Sequence, residues 1–320
     1  MIPDSIVRLL RCRVCGNPVS IRSATVRCQE GHEMRFVDGY LDASTSGQDA
    51  ITNRTFRSFG YEWTTFDRIQ AEDERFWQEY FSDVPLDELQ DRVGLDAGCG
   101  KGRYSRFSAR HLKALVALDG SDAVVPAARN LSDLTNVLVI KGDLRSCPFS
   151  DQSFGFISCL GVLHHLSDPE EGFLSLARLL APGGMLLLYL YSRPSQKGLR
   201  WLGLCASSGL RRITLHMPPP ALRLLAAPVA AALYGGVAVA DAVGKLRKQP
   251  MSGMPLLAYR NRPLRSLWLD SFDRLSAPSE ARFVWSDVAP WFTRAGLTVQ
   301  AVSETTGLTI LARRPSTGSP

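Results

Sequence analysis

Four residues near the N-terminus have the types and spacing of a metal site. Two residues separate Cys12 from Cys15, and Cys28 and His32 follow as a second close pair after twelve intervening residues. Each pair can sit on a tight turn that aims both ligand atoms at one ion, and together they complete a closed tetrahedron around zinc. With few large apolar side chains, residues 1–45 could hardly fold without such an ion. The pattern therefore predicts a structural zinc site.

A glycine-rich turn is the second group with chemical potential. The run 95–102 reads Leu-Asp-Ala-Gly-Cys-Gly-Lys-Gly and stands between a short apolar stretch and a helical pattern. Glycines let the backbone turn tightly and approach a ligand, and a helix N-terminus offers free N–H groups to an anion or polar group. Because dinucleotide-binding folds share such turns, the turn alone does not identify the ligand.

Three further features follow in order. Asp119 ends the next apolar run, where its carboxylate can accept both hydroxyl protons of a ribose. Asp143, after Gly142, ends the run after that and can face an adenine amino group. A fourth apolar run leaves through 160–166, and Pro182-Gly183-Gly184 precedes a fifth.

The chain from residue 91 alternates apolar runs with helical patterns, which is typical of a parallel sheet covered by helices. Five strands are predicted first, at Val93–Ala97, Ala114–Leu118, Val137–Ile140, Phe154–Leu160 and Met185–Tyr191. A helix and two strands resume the pattern later, at Ser286–Ala295, Thr298–Val302 and Leu308–Ala312.

These patterns predict three regions: a zinc ribbon over 1–45, an aromatic connector over 46–90, and a catalytic domain over 91–320 with an insertion at 192–285. Residues 1–10 carry charges and no long apolar core, so we expect no secretory signal peptide. Seven cysteines, an odd number, argue against a closed disulfide framework and favour a reducing, cytoplasmic compartment.

The ordered motifs resemble the class I S-adenosylmethionine-dependent methyltransferases, especially the ubiquinone-biosynthesis-type branch. The resemblance implies an α/β, Rossmann-like, seven-stranded sheet with an antiparallel last strand. It also implies that the turn 96–102 wraps the methionine part of the cofactor, that Asp119 binds the ribose and that Asp143 lies by the adenine. The cofactor-binding set expected on this basis is Asp96, Gly98, Cys99, Gly100, Gly102, Asp119, Gly120, Asp143, Leu144 and Leu160. A nicotinamide-dependent dehydrogenase is the competing interpretation, but it gives no role to Asp143 or to 182–184.

Two adjacent histidines follow the fourth strand. Methyl transfer from a sulfonium depends mainly on alignment, and a base matters only if the acceptor must lose a proton. His164 and His165 leave the strand where an acceptor should lie, so either is a candidate catalytic base. The alternative is that one caps a turn and the other packs.

The insertion concentrates positive charge. Between residues 193 and 265 there is one acid, Asp241, and twelve basic residues: 193, 197, 200, 211, 212, 223, 245, 247, 248, 260, 262 and 265. Within it, 224–240 is uncharged and is predicted to form a soluble or interfacial helix pair, because a membrane span needs about 20 apolar residues. Peripheral contact with an anionic membrane, contact with RNA phosphates and an ordinary solvated lid all remain open.

The acceptor follows only from resemblance. The stretch 59–66, rich in aromatic residues, is similar to stretches in class I methyltransferases of glycan, lipid or natural-product pathways, which implies a small-molecule, lipid-linked or glycan-type acceptor. The N-terminal segment is similar to zinc ribbons of ribosomal RNA guanine methyltransferases, which makes an RNA base the alternative acceptor. A non-catalytic protein with a decayed cofactor site is a third possibility, which the intact glycines and both acids oppose.

Overall fold

The structure is a computed structural model that describes residues 2–22, 25–45, 47–193, 199–247, 263–304 and 307–316. Four of the basic residues counted in the insertion, Lys197, Lys248, Arg260 and Arg262, lie outside the described residues. The side chains of Arg200, Lys245 and Arg247 are likewise outside the description.

In the part of the chain that the structure describes, eleven strands form one mixed sheet. The strands in chain order are β1 Val19–Arg22, β2 Thr25–Cys28, β3 Glu33–Val37, β4 Tyr40–Asp42, β5 Val93–Ala97, β6 Ala114–Asp119, β7 Val137–Lys141, β8 Phe154–Leu160, β9 Leu180–Leu190, β10 Thr298–Ser303 and β11 Leu308–Arg313. Their order across the sheet is β1-β2-β3-β4-β7-β6-β5-β8-β9-β11-β10. The sheet thus exceeds the seven strands expected from the sequence, because the four strands of the N-terminal segment join it.

Strand directions divide the sheet into three parts. β7, β6, β5, β8 and β9 run parallel, and β11 pairs with β9 in the antiparallel direction. β1 to β4 form an antiparallel group, and β4 adds to β7 as a parallel neighbour through Leu41 beside Ile140. The N-terminal segment therefore covers an edge strand that would otherwise present unpaired backbone groups.

The central strands are apolar because both of their faces are covered. In β6, the residues from Ala114 to Leu118 are fully buried, as expected for a parallel strand between two helical layers. Parallel pairing sets Ala97 beside Leu118, so the carboxyl ends of β5 and β6 reach the same edge of the sheet.

The helices are α1 Asp4–Val7, α2 Ala50–Thr65, α3 Ala71–Tyr80, α4 Ser105–Ser108, α5 Val124–Asn130, α6 Pro169–Leu179, α7 Leu199–Thr214, α8 Pro219–Arg247, α9 Leu264–Ser276 and α10 Trp285–Arg294. The helix pair predicted within 224–240 is wrong, since this stretch lies in the single helix α8 with Pro228 inside it. The fifth strand begins earlier than the predicted Met185: β9 starts at Leu180, directly after α6 ends at Leu179, and therefore contains Pro182.

The chain forms two compact units, one of residues 1–193 with 279–320 and one of residues 194–278. In the second unit, α9 packs against both α7 and α8. Among the residues described, one segment is long and apolar enough to cross a membrane by length and composition, namely Pro219–Val239 in α8. The domain boundaries given above stay predictions.

Candidate cofactor site and metal centre

The predicted cofactor residues lie at the carboxyl ends of four neighbouring strands. The strands β7, β6, β5 and β8 are adjacent in the sheet. Each contributes part of the set: Asp96, Gly98, Cys99, Gly100 and Gly102 at the end of β5, Asp119 and Gly120 at β6, Asp143 and Leu144 after β7, and Leu160 at β8. Residues up to 64 positions apart in the chain, such as Asp96 and Leu160, are thereby brought to one edge.

Asp119 is fixed by three hydrogen bonds. Its Oδ2 accepts from the backbone N–H of Gly100 at 2.9 Å, and its Oδ1 accepts from the backbone N–H and the hydroxyl of Ser121 at 2.8 and 2.6 Å. Burial raises the pKa of Asp119 above its ordinary value, although these bonds oppose the shift. A carboxylate oxygen can accept two bonds, so Oδ2 keeps one position for a hydroxyl donor.

Asp96 lies deeper, with 3% of its surface exposed. Its Oδ2 accepts from the Ser105 hydroxyl at 2.5 Å and its Oδ1 from the Ser158 hydroxyl at 3.1 Å. Burial raises the pKa of Asp96 to about 6, against the lowering effect of both hydroxyls. The carboxylate ties the β5 turn to α4 and to β8, so it shapes the turn from behind.

Two glycines of the turn have a left-handed backbone and close neighbours. Gly98 has a φ of +81°, and a Cβ on it would lie 2.3 Å from Cγ2 of Val162. Gly100 has a φ of +54°, and a Cβ on it would lie 3.1 Å from the Trp63 indole. Left-handed backbone and close neighbours both require glycine at these positions.

Helix α2 lies across this edge of the sheet. A Cβ on Gly120 would meet the Phe56 ring at 2.2 Å, and Trp63 lies against Gly100. The Phe59 ring centroid is 4.8 Å from that of His165. The aromatic run predicted from the sequence includes Phe59 and Trp63 but not Phe56, whose only signal was its spacing of three and seven residues from them on one helix.

Asp143 begins a short 3₁₀ turn and binds Arg145. Its Oδ1 accepts from the Arg145 backbone N–H at 2.9 Å, and its Oδ2 lies 2.7 Å from a terminal guanidinium nitrogen of Arg145. The same guanidinium lies 3.5 Å from Asp49, the residue that caps the N-terminus of α2. Arg145 therefore links the end of β7 to the helix that covers the site, a role the sequence did not reveal.

The two histidines are both buried and have different hydrogen bonds. His165 Nδ1 lies 2.7 Å from the carbonyl oxygen of Ser279, so in the neutral ring Nδ1 carries the proton and Nε2 is free to accept one. His164 Nδ1 faces the backbone N–H of Tyr191 at 3.4 Å, and its Nε2 has no hydrogen-bond partner among the described residues. Burial holds the pKa of His164 well below its usual range, so this ring stays neutral.

The four N-terminal ligand candidates converge. The ligand atoms of Cys12, Cys15, Cys28 and His32 all lie within 4.8 Å of one another. Cys15 Sγ is 3.7 Å from Cys28 Sγ, and His32 Nδ1 is 3.7 Å from Cys12 Sγ and 3.5 Å from Cys28 Sγ. Around a tetrahedral zinc, two sulfurs stand about 3.8 Å apart, and sulfur and nitrogen about 3.5 Å apart. The donor set therefore fits zinc.

One thiol of this cluster is already acidic. Burial raises the pKa of Cys12, but hydrogen bonds from the backbone N–H groups of Cys15 and Val14 outweigh it and lower the pKa to about 7. The six described cysteines of the chain are free thiols.

The central segment of the chain is similar to known proteins. A protein-family model described as "Methyltransferase domain" matches residues 95–188. The ubiquinone biosynthesis O-methyltransferase of Coxiella burnetii is 30% identical over 107 residues, which are 33% of this chain and 46% of that protein. The "Probable tRNA methyltransferase 9B" of Mus musculus is 35% identical over 100 residues, which are 30% of this chain and 21% of that protein. The chain thus spans less than half the length of these curated relatives.

The solved Burkholderia thailandensis 1,6-didemethyltoxoflavin-N1-methyltransferase, which contains bound 1,6-didemethyltoxoflavin and S-adenosylhomocysteine, is 11% identical with a TM-score of 0.49. The match covers 94% of this chain and 100% of that one. The sequence matches, together with the sheet order and the glycine turn at the carboxyl edge, agree on one conclusion. Residues 95–188 form an S-adenosylmethionine-dependent methyltransferase domain of the class I, Rossmann-like kind.

Proposed function

We propose that this chain transfers a methyl group from S-adenosylmethionine to a small-molecule, lipid-linked or glycan-type acceptor. The observation that carries the proposal is the bond between Asp119 and Gly100, which sets a ribose-binding carboxylate against the turn that would hold the methionine part. The cofactor would supply a methyl group already activated by a positively charged sulfur. The relative named for ubiquinone biosynthesis supports a small acceptor.

In this proposal the chain works by positioning. Asp119 and Asp143 hold the two ends of the nucleoside, while the N–H groups of the glycine turn face the methionine end. Trp63 and Phe56 cover the edge from α2 and exclude water from it. Alignment of the acceptor with the methyl carbon then accounts for much of the rate acceleration.

Of the two candidate bases, the hydrogen bonds favour His165 in this proposal. Its Nδ1 donates to the Ser279 carbonyl, which leaves Nε2 as a proton acceptor. His164 is fully buried and stacks on Tyr191 with ring centroids 3.9 Å apart, an arrangement that suits a packing role. An acceptor that loses a proton on methylation would need such a group.

We also propose that residues 1–45 form a zinc ribbon with a structural ion on Cys12, Cys15, Cys28 and His32. The ligand distances support zinc, and a site closed by four protein ligands leaves no position for a substrate. Since β4 pairs with β7, the ion would stabilise the strand that ends just before Asp143. The three-part division of the chain and its cytoplasmic location belong to the same proposal.

The test uses the intact chain with S-adenosylhomocysteine in isothermal titration calorimetry. We expect one binding event per chain and no comparable heat with NAD or NADH. Production of S-adenosylhomocysteine from S-adenosylmethionine is then followed with fractionated small-molecule and lipid extracts as acceptors. Strong binding of a nicotinamide nucleotide, with none of S-adenosylhomocysteine, would overturn the proposal. The ribosomal RNA alternative has no comparable support, and steep salt-dependent binding of RNA would be needed to revive it.

A further inference from the structure

Helix α8 exposes an apolar surface where most helices are polar. From Pro219 to Val239 its sequence contains one charged residue, Arg223. Leu224 is 75% exposed and Val239 64%, and several further apolar side chains are exposed: Leu225, Val229 and Tyr234. The buried positions form a narrow face, made of Leu222, Ala226, Ala230 and Val237. A surface helix of a protein in water normally shows the opposite distribution.

The neighbouring helices add to this surface. Leu210 and Ile213 of α7 are 42% and 67% exposed, and Leu264 at the start of α9 is 46% exposed. Eight of the twelve large apolar residues found exposed in the described chain belong to the unit 194–278. Such a concentration marks an interaction surface, because large apolar patches are otherwise rare on soluble proteins.

The net positive charge of residues 193–265 favours an anionic partner. Twelve basic residues and one acid between 193 and 265 give this stretch a net charge of +11, while the rest of the chain is at −5. Arg212 and Arg223 are exposed. Trp268 Nε1 donates to the Arg223 carbonyl oxygen at 2.9 Å, and the Arg223 guanidinium lies 5.2 Å from the centre of the Trp268 ring. Tryptophan and arginine beside an apolar face are typical of a segment at the boundary between lipid headgroups and acyl chains.

The orientation of α8 follows from its packing partner. The 21-residue segment Pro219–Val239 extends about 31 Å, enough to cross a bilayer. However, α9 packs along α8 and carries Asp270, Asp273 and Arg274. Carrying these charges into the hydrocarbon would cost several kcal/mol. A position in the plane of the membrane keeps them in water.

We propose that the exposed face of α8, with the flanking basic residues, docks onto the surface of an anionic lipid bilayer. Apolar side chains enter the acyl boundary, and arginines meet the negative headgroups. Arg211 takes no part, since it is 9% exposed and its Nε donates to the Arg274 carbonyl oxygen at 3.0 Å. The inference goes beyond methyl transfer and does not depend on it.

The test is flotation of the intact chain with vesicles of phosphatidylcholine, with and without phosphatidylglycerol. Leu224→Glu/Val229→Glu places two charges on the exposed face. The matched control is Val37→Glu/Val302→Glu, which makes the same changes at sites 38% and 40% exposed in the other unit. Because all four side chains are exposed, we expect each variant to keep the thermal melting curve and S-adenosylhomocysteine affinity of the parent.

We expect the parent and the control to float with anionic vesicles and to bind neutral ones much less. The α8 variant should bind vesicles at least about tenfold more weakly than the parent. Arg212→Ala should weaken binding to anionic vesicles and leave binding to neutral vesicles unchanged. Equal binding by the α8 variant and the control would overturn the proposal. A parent that does not bind anionic vesicles would also overturn the proposal. The same holds if sedimentation shows that the parent is a dimer and the α8 variant a monomer, because a second copy of the chain would then cover the exposed face. Binding of S-adenosylhomocysteine is read separately, so failure here leaves the proposed enzyme intact.

Discussion

The backbone N–H of Gly100 donates to Asp119 Oδ2 across 2.9 Å, which joins the turn after β5 to the end of β6. The two residues come from neighbouring parallel strands, so the bond crosses the edge of the sheet where the predicted cofactor residues meet. It orients the carboxylate before any ligand arrives, and such preorganisation reduces the cost of binding. Four predictions follow from this edge and from the N-terminal cluster.

Replacing Asp119 should weaken cofactor binding more than it weakens the fold. In Asp119→Asn, one charge-assisted acceptor for a ribose hydroxyl is lost, which corresponds to about 1.5–3 kcal/mol or a loss of about tenfold to a hundredfold in affinity. Calorimetry with S-adenosylhomocysteine measures the effect. The control is Asp122→Asn, whose carboxylate is 69% exposed and pairs with Lys141. Equal affinities for the two variants would show that Asp119 does not hold the nucleoside.

Asp96 should make the stability of the protein depend on pH. Its pKa in the folded chain is about 6 because burial outweighs its hydrogen bonds. This pKa lies above that of an unfolded aspartate, so the native state binds more protons between about pH 4 and pH 6. The free energy of unfolding should therefore fall as the pH rises from about 4 to about 6. This group should account for a decrease of about 3 kcal/mol.

Asp96→Asn removes the titrating group. Relative to the parent, its free energy of unfolding in urea should rise between pH 4 and pH 7. Asp133→Asn is the control with the opposite sign, because the hydrogen bond from Arg106 lowers the pKa of Asp133. As the pH rises from about 3 to about 5, the free energy of unfolding of the parent should increase relative to that of Asp133→Asn. Parallel pH profiles for the parent and Asp96→Asn would contradict the assigned ionisation of Asp96.

Gly98 and Gly161 form a matched pair for the effect of close packing in the turn. Both have a φ of +81°, but a Cβ on Gly98 would meet Val162 at 2.3 Å, whereas no atom of the described residues lies within 4 Å of a Cβ on Gly161. Alanine should cost about 1 kcal/mol at either site for the backbone alone. At Gly98 we expect a further cost of about 1–3 kcal/mol, measured by urea unfolding and partly recovered in Gly98→Ala/Val162→Ala. A loss at Gly161 as large as that at Gly98 would mean that the approach of Val162 is unimportant.

Removing a thiol ligand should cost both the metal and the N-terminal fold. In Cys12→Ser, elemental analysis should find zinc reduced from one equivalent per chain to well below it, with a lower melting temperature. The control is Cys147→Ser, because the Cys147 thiol donates to the Leu144 carbonyl oxygen at 3.2 Å and a hydroxyl can do the same. If Cys12→Ser keeps its zinc while the control behaves like the parent, the ligand set is wrong.

The sequence by itself determined the local features of this protein. Glycines at 98, 100 and 102 were readable because left-handed backbone and close approach tolerate few other residues. The continuous apolar strand at 114–118 was readable because burial on both faces leaves no polar alternation. The four metal ligand candidates could be predicted because residues that bind one ion in close pairs keep a short, regular spacing in the sequence. The structure brings these four residues together.

Tertiary structure decided what depends on contacts between distant segments. The pairing of β4 with β7 made an eleven-stranded sheet, and no local pattern encodes which edge a short strand joins. The link from Arg145 to both Asp143 and Asp49 spans nearly a hundred residues. The uncharged stretch of α8 forms one helix, and its packing against α9 decided which face is buried. Periodicity alone could not predict this, because it does not distinguish a covered apolar side from an exposed one.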